Sequence, residues 1–327
     1  MTRSGPARIA ADVTLEATVV GSFSRIGYSA RRALFDWDDD AADLTGRIVV
    51  VTGASGGLGL ATACGLARVG AEVRLVARDR FKLQGAAEEV RDAVPGATVA
   101  THACDFSSLD DVRGLADELT AQTDRLDVLV HNAGALVHDL EHTGDGIELT
   151  AQVHVVAPFL LTNLLLPHLR ATGGARVLTV SSGGMYTQRL DVAALNSPPA
   201  PFHGTRAYAN AKRAQVVLNA RWPERAGADG VTFHALHPGW ADTPGLQASL
   251  PRFRSLLRPL LRTPAQGADT AVWLASAPEA LASNGDFWHD RRRRPTEPLP
   301  WTHTPAAEAD ALVDWCVARA AVTAVPA

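Results

Sequence analysis

The sequence predicts an α/β fold: a single doubly wound domain on a parallel sheet of about seven strands, with helices on both faces. Three observations predict it. Short, continuous apolar runs recur along the chain, helical stretches of roughly 12–20 residues separate them, and the first run leads straight into a glycine cluster. A strand buried on both faces reads as an unbroken apolar run, and strands joined by helices run parallel with right-handed crossovers.

The elements follow in order. Residues 1–43 read as an arm that mixes basic and aromatic side chains (Phe23, Arg25, Tyr28, Arg31, Arg32, Phe35, Trp37) and closes on Asp38-Asp39-Asp40. Apolar spacing from Ile26 to Trp37 predicts an amphipathic helix. It packs on its own domain or, as the alternative, lays its cationic side on a membrane surface. The main domain, residues 44–290, opens with a strand at 47–51, and further strands are expected at 72–77, 98–103, 126–131, 176–181 and 231–236. Helices are expected near 58–69, 81–94, 109–121, 146–169 and 207–225. The tail, residues 291–327, starts with Arg291–Arg294 and ends in an alanine-rich helix near 306–321. Four adjacent charges cannot all be buried, so Arg291–Arg294 read as a solvated loop.

Composition narrows the function classes. The chain has 327 residues, 46% of them hydrophobic, and a formal charge of −4. It can bury a large core but lacks the cationic face that nucleic acid requires. Three cysteines (Cys64, Cys104, Cys316) cannot build a disulfide framework, which points to a reducing, cytoplasmic setting. No uninterrupted apolar run approaches the ~18–20 residues of a membrane span, no leader pattern opens the chain, and no metal site is expected. A homo-oligomer stays open. Only two of the 31 basic residues, Lys82 and Lys212, are lysines.

The glycine cluster is Thr52-Gly53-Ala54-Ser55-Gly56-Gly57-Leu58-Gly59, set between a strand and a helix. Such a turn aims free backbone N–H groups and a positive helix end at a pyrophosphate, so Gly53, Ser55, Gly57, Leu58 and Gly59 are candidate nucleotide contacts. Farther along, Tyr208-Ala209-Asn210-Ala211-Lys212 puts a phenol and an ammonium on one helical face, one turn apart. A nearby cation favours phenolate, so Lys212 is expected to bring the phenol toward the range where it can exchange a proton. With so few tyrosines and lysines, that spacing is expected by chance only about 0.02 times. Ser181 and Ser182 follow a strand at the carboxyl edge, where doubly wound sheets place their ligands.

Together the Gly-x-x-x-Gly-x-Gly turn, the Tyr-x-x-x-Lys pair and the upstream serine resemble the short-chain dehydrogenase/reductase family, a Rossmann-type fold. The likeness spans residues 44–245. The strings VSSGGM, YANAKRAQVVL, HPGWADTPG, RTPAQGADTAVWLA and GDFWHDR resemble the branch of dehydrogenase/reductase member 12 proteins, extending the match over most of the chain. The resemblance implies an oxidoreductase that interconverts a carbonyl and an alcohol of a small molecule. It implies Ser182, Tyr208 and Lys212 as catalytic residues, with Tyr208 and Lys212 also touching the cofactor. It places Arg78 where relatives selective for NAD carry aspartate, so NADP(H) is expected over NAD(H), because a guanidinium can grip a 2′-phosphate. It implies further cofactor contacts at Asp105, at Asn132-Ala133-Gly134, and at Pro238, Gly239 and Thr243. Two departures stand out. His131 and His154 occupy positions where the family has asparagine, and His154 is expected to keep a proton path open and to add pH dependence. The alternative is a catalytically silent NADP(H)-binding scaffold or redox sensor. Apolar residues in 186–205 and 246–262 (Leu190, Pro199, Phe202, Leu246, Leu250, Phe253) hint at a lipophilic substrate.

Overall fold

The computed structural model of the chain describes residues 5–37, 43–226 and 230–322; the acidic run Asp38–Asp40 lies outside them. The sheet has eight strands: β1 (Ile48–Thr52), β2 (Glu72–Ala77), β3 (Val99–Ala103), β4 (Val128–His131), β5 (Ala175–Val180), β6 (Val231–Leu236), β7 (Phe287–His289) and β8 (Arg292–Arg293). Their order is β3-β2-β1-β4-β5-β6-β7-β8, and every pairing is parallel except β7 with β8. The chain reverses its direction of winding between β1 and β4, so a crevice opens beyond the carboxyl ends of these two strands.

Each face follows from the period of two along a strand. Val49 and Val51 bury against the helices Gly57–Arg68, Arg80–Ala93 and Pro264–Ser276, while Val50 points to the opposite core. That second core is filled by Leu109–Gln122, the continuous helix through residues 149–172, Gly204–Ala226 and Ala306–Ala320. The 149–172 helix is long and apolar enough to cross a membrane, contrary to the sequence expectation, but most of it is buried in this core. Helix Pro264–Ser276 escaped the sequence reading although Thr263 and Gln266 form a reciprocal capping box ahead of it. It lies close on Gly57–Arg68, because a Cβ at Gly65 would come within 2.5 Å of Val272.

Strands β7 and β8 were also missed, being three and two residues long. Their connection is the pair Asp290-Arg291, both left-handed at φ +52° and +54°, as a two-residue hairpin of right-twisted strands demands. An arginine there is strained. Arg291 is held by two hydrogen bonds to Asp269, at 2.8 and 2.6 Å, and by stacking over the Trp37 ring at 4.7 Å.

The expectation for the basic run changes, while the arm packs on its own domain as expected. Arg291–Arg294 are not a solvated loop: the Arg294 side chain is 6% exposed and that of Arg291 16%, with Arg293 alone largely in solvent. The arm, folded as Pro6–Glu16, Val19–Phe23 and Arg25–Leu34, packs on the domain and receives them. Arg292 and Arg294 pair with Asp12, and Arg292 also covers the Phe35 ring at 4.3 Å. From the arm, Arg31 is fully buried and reaches Asp12, Glu16 and Asp290. Asp290 also accepts two hydrogen bonds from the buried Arg262, at 2.6 and 2.9 Å. Burial works against the Asp290 charge, but His289, Arg262 and Arg31 outweigh it and hold the carboxyl well below the usual carboxylate range.

Removing one partner of such a group leaves buried charge unmatched. Asp290→Asn is therefore expected to lower the unfolding free energy by about 3–5 kcal/mol at pH 7, read by denaturant titration. A carboxyl held low stabilises the fold above its unfolded-state pKa, so the difference should persist down to about pH 4 and narrow only below it.

Candidate active site

The crevice is built from the first glycine turn outward. β1 ends at Thr52, and Gly53 follows at φ +67°, a conformation open to glycine at little strain. A Cβ at Gly59 would strike the Gly53 carbonyl and come within 2.6 Å of Asn132 Nδ2. Asn132 Nδ2 donates to the carbonyls of Thr52 and Gly53 at 3.0 and 3.3 Å, and Thr52 Oγ1 accepts the N–H groups of Asn132 and Ala133, both at 3.0 Å. Asn132-Ala133-Gly134 thus stitches the turn in place. Helix Gly57–Arg68 begins with no side chain capping it, so the amides of its first turn, including Leu58 and Gly59, face outward. A Cβ at Gly56 would meet nothing within 4 Å. An open, uncapped, glycine-lined helix N-terminus fits the phosphates of a dinucleotide. Ser55 sits within this turn, and Thr243 lies across it, 3.3 Å from where a Gly57 Cβ would be.

At the other end, Arg78 follows β2 with its side chain 79% exposed and its guanidinium 3.9 Å from Asp105. The sequence reading passed over the neighbouring Asp79. Its carboxylate accepts the amides of Phe81 and Lys82, at 2.9 and 3.1 Å, as the cap of the next helix.

Tyr208, Ser182, Lys212 and His154 converge. Ser182 sits close enough to the Tyr208 phenol to favour its ionised form. Lys212 Nζ lies 5.5 Å from the centre of the phenol ring and donates to the Val180 carbonyl at 2.9 Å. Ser181 has a different job, because its hydroxyl donates to the Lys212 carbonyl at 2.9 Å inside the core. The electrostatics differ from the expectation. Burial raises the phenol above its ordinary value, with Ser182 the opposing influence, and burial pushes Lys212 down to about 7. Both groups sit on one dry wall, so desolvation outweighs the lysine's influence on the phenol.

His154 stands on a π-helical turn, Gln152–Val156, inside the long helix. Its ring meets the Tyr208 ring edge-on at 5.3 Å, and its Nε2 lies 2.7 Å from the Ala135 carbonyl and 3.1 Å from the Ala135 amide nitrogen. Any Cβ at Gly134 would collide with the imidazole, which explains that glycine. Burial, with Lys212 adding to it, holds His154 neutral, well below its usual range. This geometry therefore does not favour its ionisation as the source of a pH dependence near neutrality. His131 is a core residue: it shares a 2.7 Å hydrogen bond with Thr162, and burial takes it down to about 3.

On the far side of the crevice, β6 runs into His237-Pro238-Gly239. Gly239 is left-handed at φ +75°, and a Cβ there would run into the Arg262 guanidinium. Arg262 donates to the carbonyls of Phe23 and Ser24 at 3.1 and 3.2 Å, and Phe23 accepts the Trp240 N–H at 2.8 Å. The arm therefore forms part of this wall. No local pattern announces that, since the partners are more than 200 positions apart.

Fold and site together define a dinucleotide-dependent oxidoreductase of the short-chain type. Residues 47–252 match the short chain dehydrogenase family, and the chain belongs to it. Over 294 residues it is 38% identical to Dehydrogenase/reductase SDR family member 12 of Bos taurus, covering 89% of this chain and 92% of that one. Retinol dehydrogenase 13 of Homo sapiens is 31% identical over 265 residues, covering 79% and 80%. Among solved structures, the Pseudomonas aeruginosa RhlG/NADP active-site complex superposes with a TM-score of 0.62 at 25% identity, covering 75% of this chain and 94% of that one. The protein is accordingly an enzyme acting on alcohol or carbonyl groups.

The two serines separate by experiment. Ser182→Ala is expected to lower kcat by about 10²–10³-fold, the effect of losing one donor to a developing oxyanion. Ser181→Ala should keep the rate within a few-fold and lose about 1 kcal/mol of stability in a thermal or denaturant melt. For His154→Asn, the pH–rate profile should keep the parent's inflections, because the imidazole does not titrate there; a shifted inflection would restore the ionising relay.

Proposed function

We propose that the protein is an NADP(H)-dependent oxidoreductase that interconverts the carbonyl and alcohol forms of a lipophilic small molecule. One observation carries the chemistry: the Tyr208 phenol, with Ser182 favouring its ionised form and Lys212 beneath its ring, belongs to the same sheet edge that carries the uncapped glycine turn. The glycine turn would hold the pyrophosphate, Arg78 and Asp105 the adenosine end, and Asn132-Ala133-Gly134, Pro238, Gly239 and Thr243 the nicotinamide end. When bound, the cofactor supplies or accepts the hydride.

The chain's own groups do the rest. Ser182 donates a hydrogen bond to the carbonyl oxygen and fixes its direction. In reduction Tyr208 gives its proton to that oxygen, and in oxidation it takes the proton back, a contribution typically worth ~10²–10⁴-fold. Lys212, anchored on the Val180 carbonyl, contributes positive charge beside the phenol and a donor for the ribose.

The preference for NADP(H) is supported by the exposed Arg78 guanidinium and by Asp79, whose carboxylate is occupied as a helix cap. The RhlG structure is one in which a relative of this fold holds NADP. A lipophilic substrate is supported by the retinol dehydrogenase relative. Three unpaired, buried cysteines support a reducing, cytoplasmic setting.

The test is fluorescence titration with NADPH and NADH, then turnover of a panel containing all-trans-retinal, hexanal and an aromatic ketone. NADPH should bind at least about tenfold tighter than NADH, and Arg78→Asp should reverse that order. Tyr208→Phe should bind NADPH as the parent does and lose at least about 10²-fold in kcat. With the phenol raised by burial, reduction should hold level through neutral pH and fall only in the alkaline range, while oxidation rises there. Equal affinity for the two cofactors overturns the cofactor assignment, and an active Tyr208→Phe overturns the mechanism.

A further inference from the structure

The serine that directs the carbonyl is followed by two glycines, Gly183 and Gly184, in a 3-10 turn. Glycines leave the backbone the most freedom, so something else must fix the direction of this turn. The Gly184 amide donates to Ser182 Oγ at 3.2 Å, a contact within the turn itself. At the glycines a contact from outside comes from His237 at the end of β6, whose Nδ1 accepts the Gly183 N–H at 3.1 Å, while Arg213 holds Met185 farther along the turn. Accepting there puts the imidazole proton on Nε2, a buried atom with no hydrogen-bond partner among the described residues.

The ring is 2% exposed and boxed in. His289 stacks on it at 4.8 Å between centroids, and Phe23 of the arm meets it edge-on at 4.7 Å. A Cβ at Gly183 would lie 2.9 Å from His237 Nε2 and 3.5 Å from Phe23 Cε2, so imidazole and arm close together over that glycine. Phe23 is in turn held through its carbonyl by Trp240 and Arg262. A buried imidazole with one nitrogen orphaned is tolerated where its other nitrogen is needed.

We propose that His237 is a positioning residue: by holding the Gly183 amide, its unprotonated Nδ1 aims the Ser182 hydroxyl at the substrate oxygen, and Phe23 of the N-terminal arm holds His237 in place. The arm thereby belongs to the active site, although among the described residues it makes no hydrogen bond to Ser182, Tyr208 or Lys212. This rests on the oxidoreductase reading above, in which Ser182 binds the carbonyl.

Asparagine carries an acceptor at the same position along the side chain as Nδ1, whereas leucine fills similar space without one. With the best carbonyl of the panel, His237→Leu should lower kcat roughly tenfold or more, equivalent to about 1.4 kcal/mol in the barrier, with NADPH affinity within about twofold of the parent. His237→Asn should recover most of the lost rate, and Phe23→Ala should fall in the same direction by a smaller factor. A role in packing alone predicts instead that Leu and Asn fall equally, or that both keep the parent rate; either result overturns the proposal. If His237→Leu does not fold, His237→Gln replaces it, since its acceptor sits one bond farther out, and the same comparison with Asn decides. Tyr208→Phe is measured in parallel. A parent that reduces no carbonyl, or an active Tyr208→Phe, defeats the oxidoreductase reading itself, whereas an inactive Tyr208→Phe beside a fully active His237→Leu defeats only the positioning role.

Discussion

A charge removed from water must be met by an opposite one, and at Asp290 this protein meets that constraint from two directions. Its carboxylate accepts Arg31 from the arm and Arg262 from the loop ahead of the Pro264–Ser276 helix. Both arginines are fully buried; Arg31 also reaches Asp12 and Glu16, whereas Asp290 is the carboxylate that meets Arg262. The consequences spread through the fold. Arg262 underlies Gly239, the arm's Ser22–Ser24 turn is held by its carbonyls, and β8 completes the sheet on the far side of the same hairpin. Whether the wall of the crevice exists in its working shape depends on that one acid.

The catalytic groups obey the opposite logic. Tyr208, Lys212 and His154 are desolvated and carry no carboxylate partner, so burial pushes each toward its neutral form. A dry wall of this kind strengthens every hydrogen bond made against it and makes each unmet charge costly. Lys212 is one of only two lysines in the chain, and its compact ammonium reaches the Val180 carbonyl beneath the phenol ring. The next residue, Arg213, is buried on the other side of the helix, where Thr296, Glu297 and Thr302 meet its charge and anchor the C-terminal segment. Adjacent positions on one helix thus carry the reaction and the scaffold.

Much of this was legible from the chain. The strand positions from β1 to β6 lay within two residues of those observed, because short apolar runs bounded by turn residues and separated by helical stretches mark strands buried on both faces. The convergence of Ser182, Tyr208 and Lys212 was legible for a similar reason, since each sits at a fixed distance from a strand end or on one helical face. What was not legible had no period to reveal it. β7 and β8 are too short to show alternation, and Pro264–Ser276 advertises itself only through its capping box. The basic run at 291–294 was read as a solvated loop and the arm as packing on its own domain, but that each is the other's partner was not legible.

The sequence by itself determined the order of strands and helices, the nucleotide turn, and the phenol–lysine pair, since all of these are written in local spacing and in the conformations glycine alone adopts easily. Tertiary structure decided which charges are buried, which serine faces the phenol, that His154 stays neutral, and that the arm closes against the crevice. Those outcomes depend on how much water surrounds each group, and on partners as far apart as Arg31 and Asp290. Solvent exposure is a property of the assembled molecule, and no stretch of sequence carries it alone.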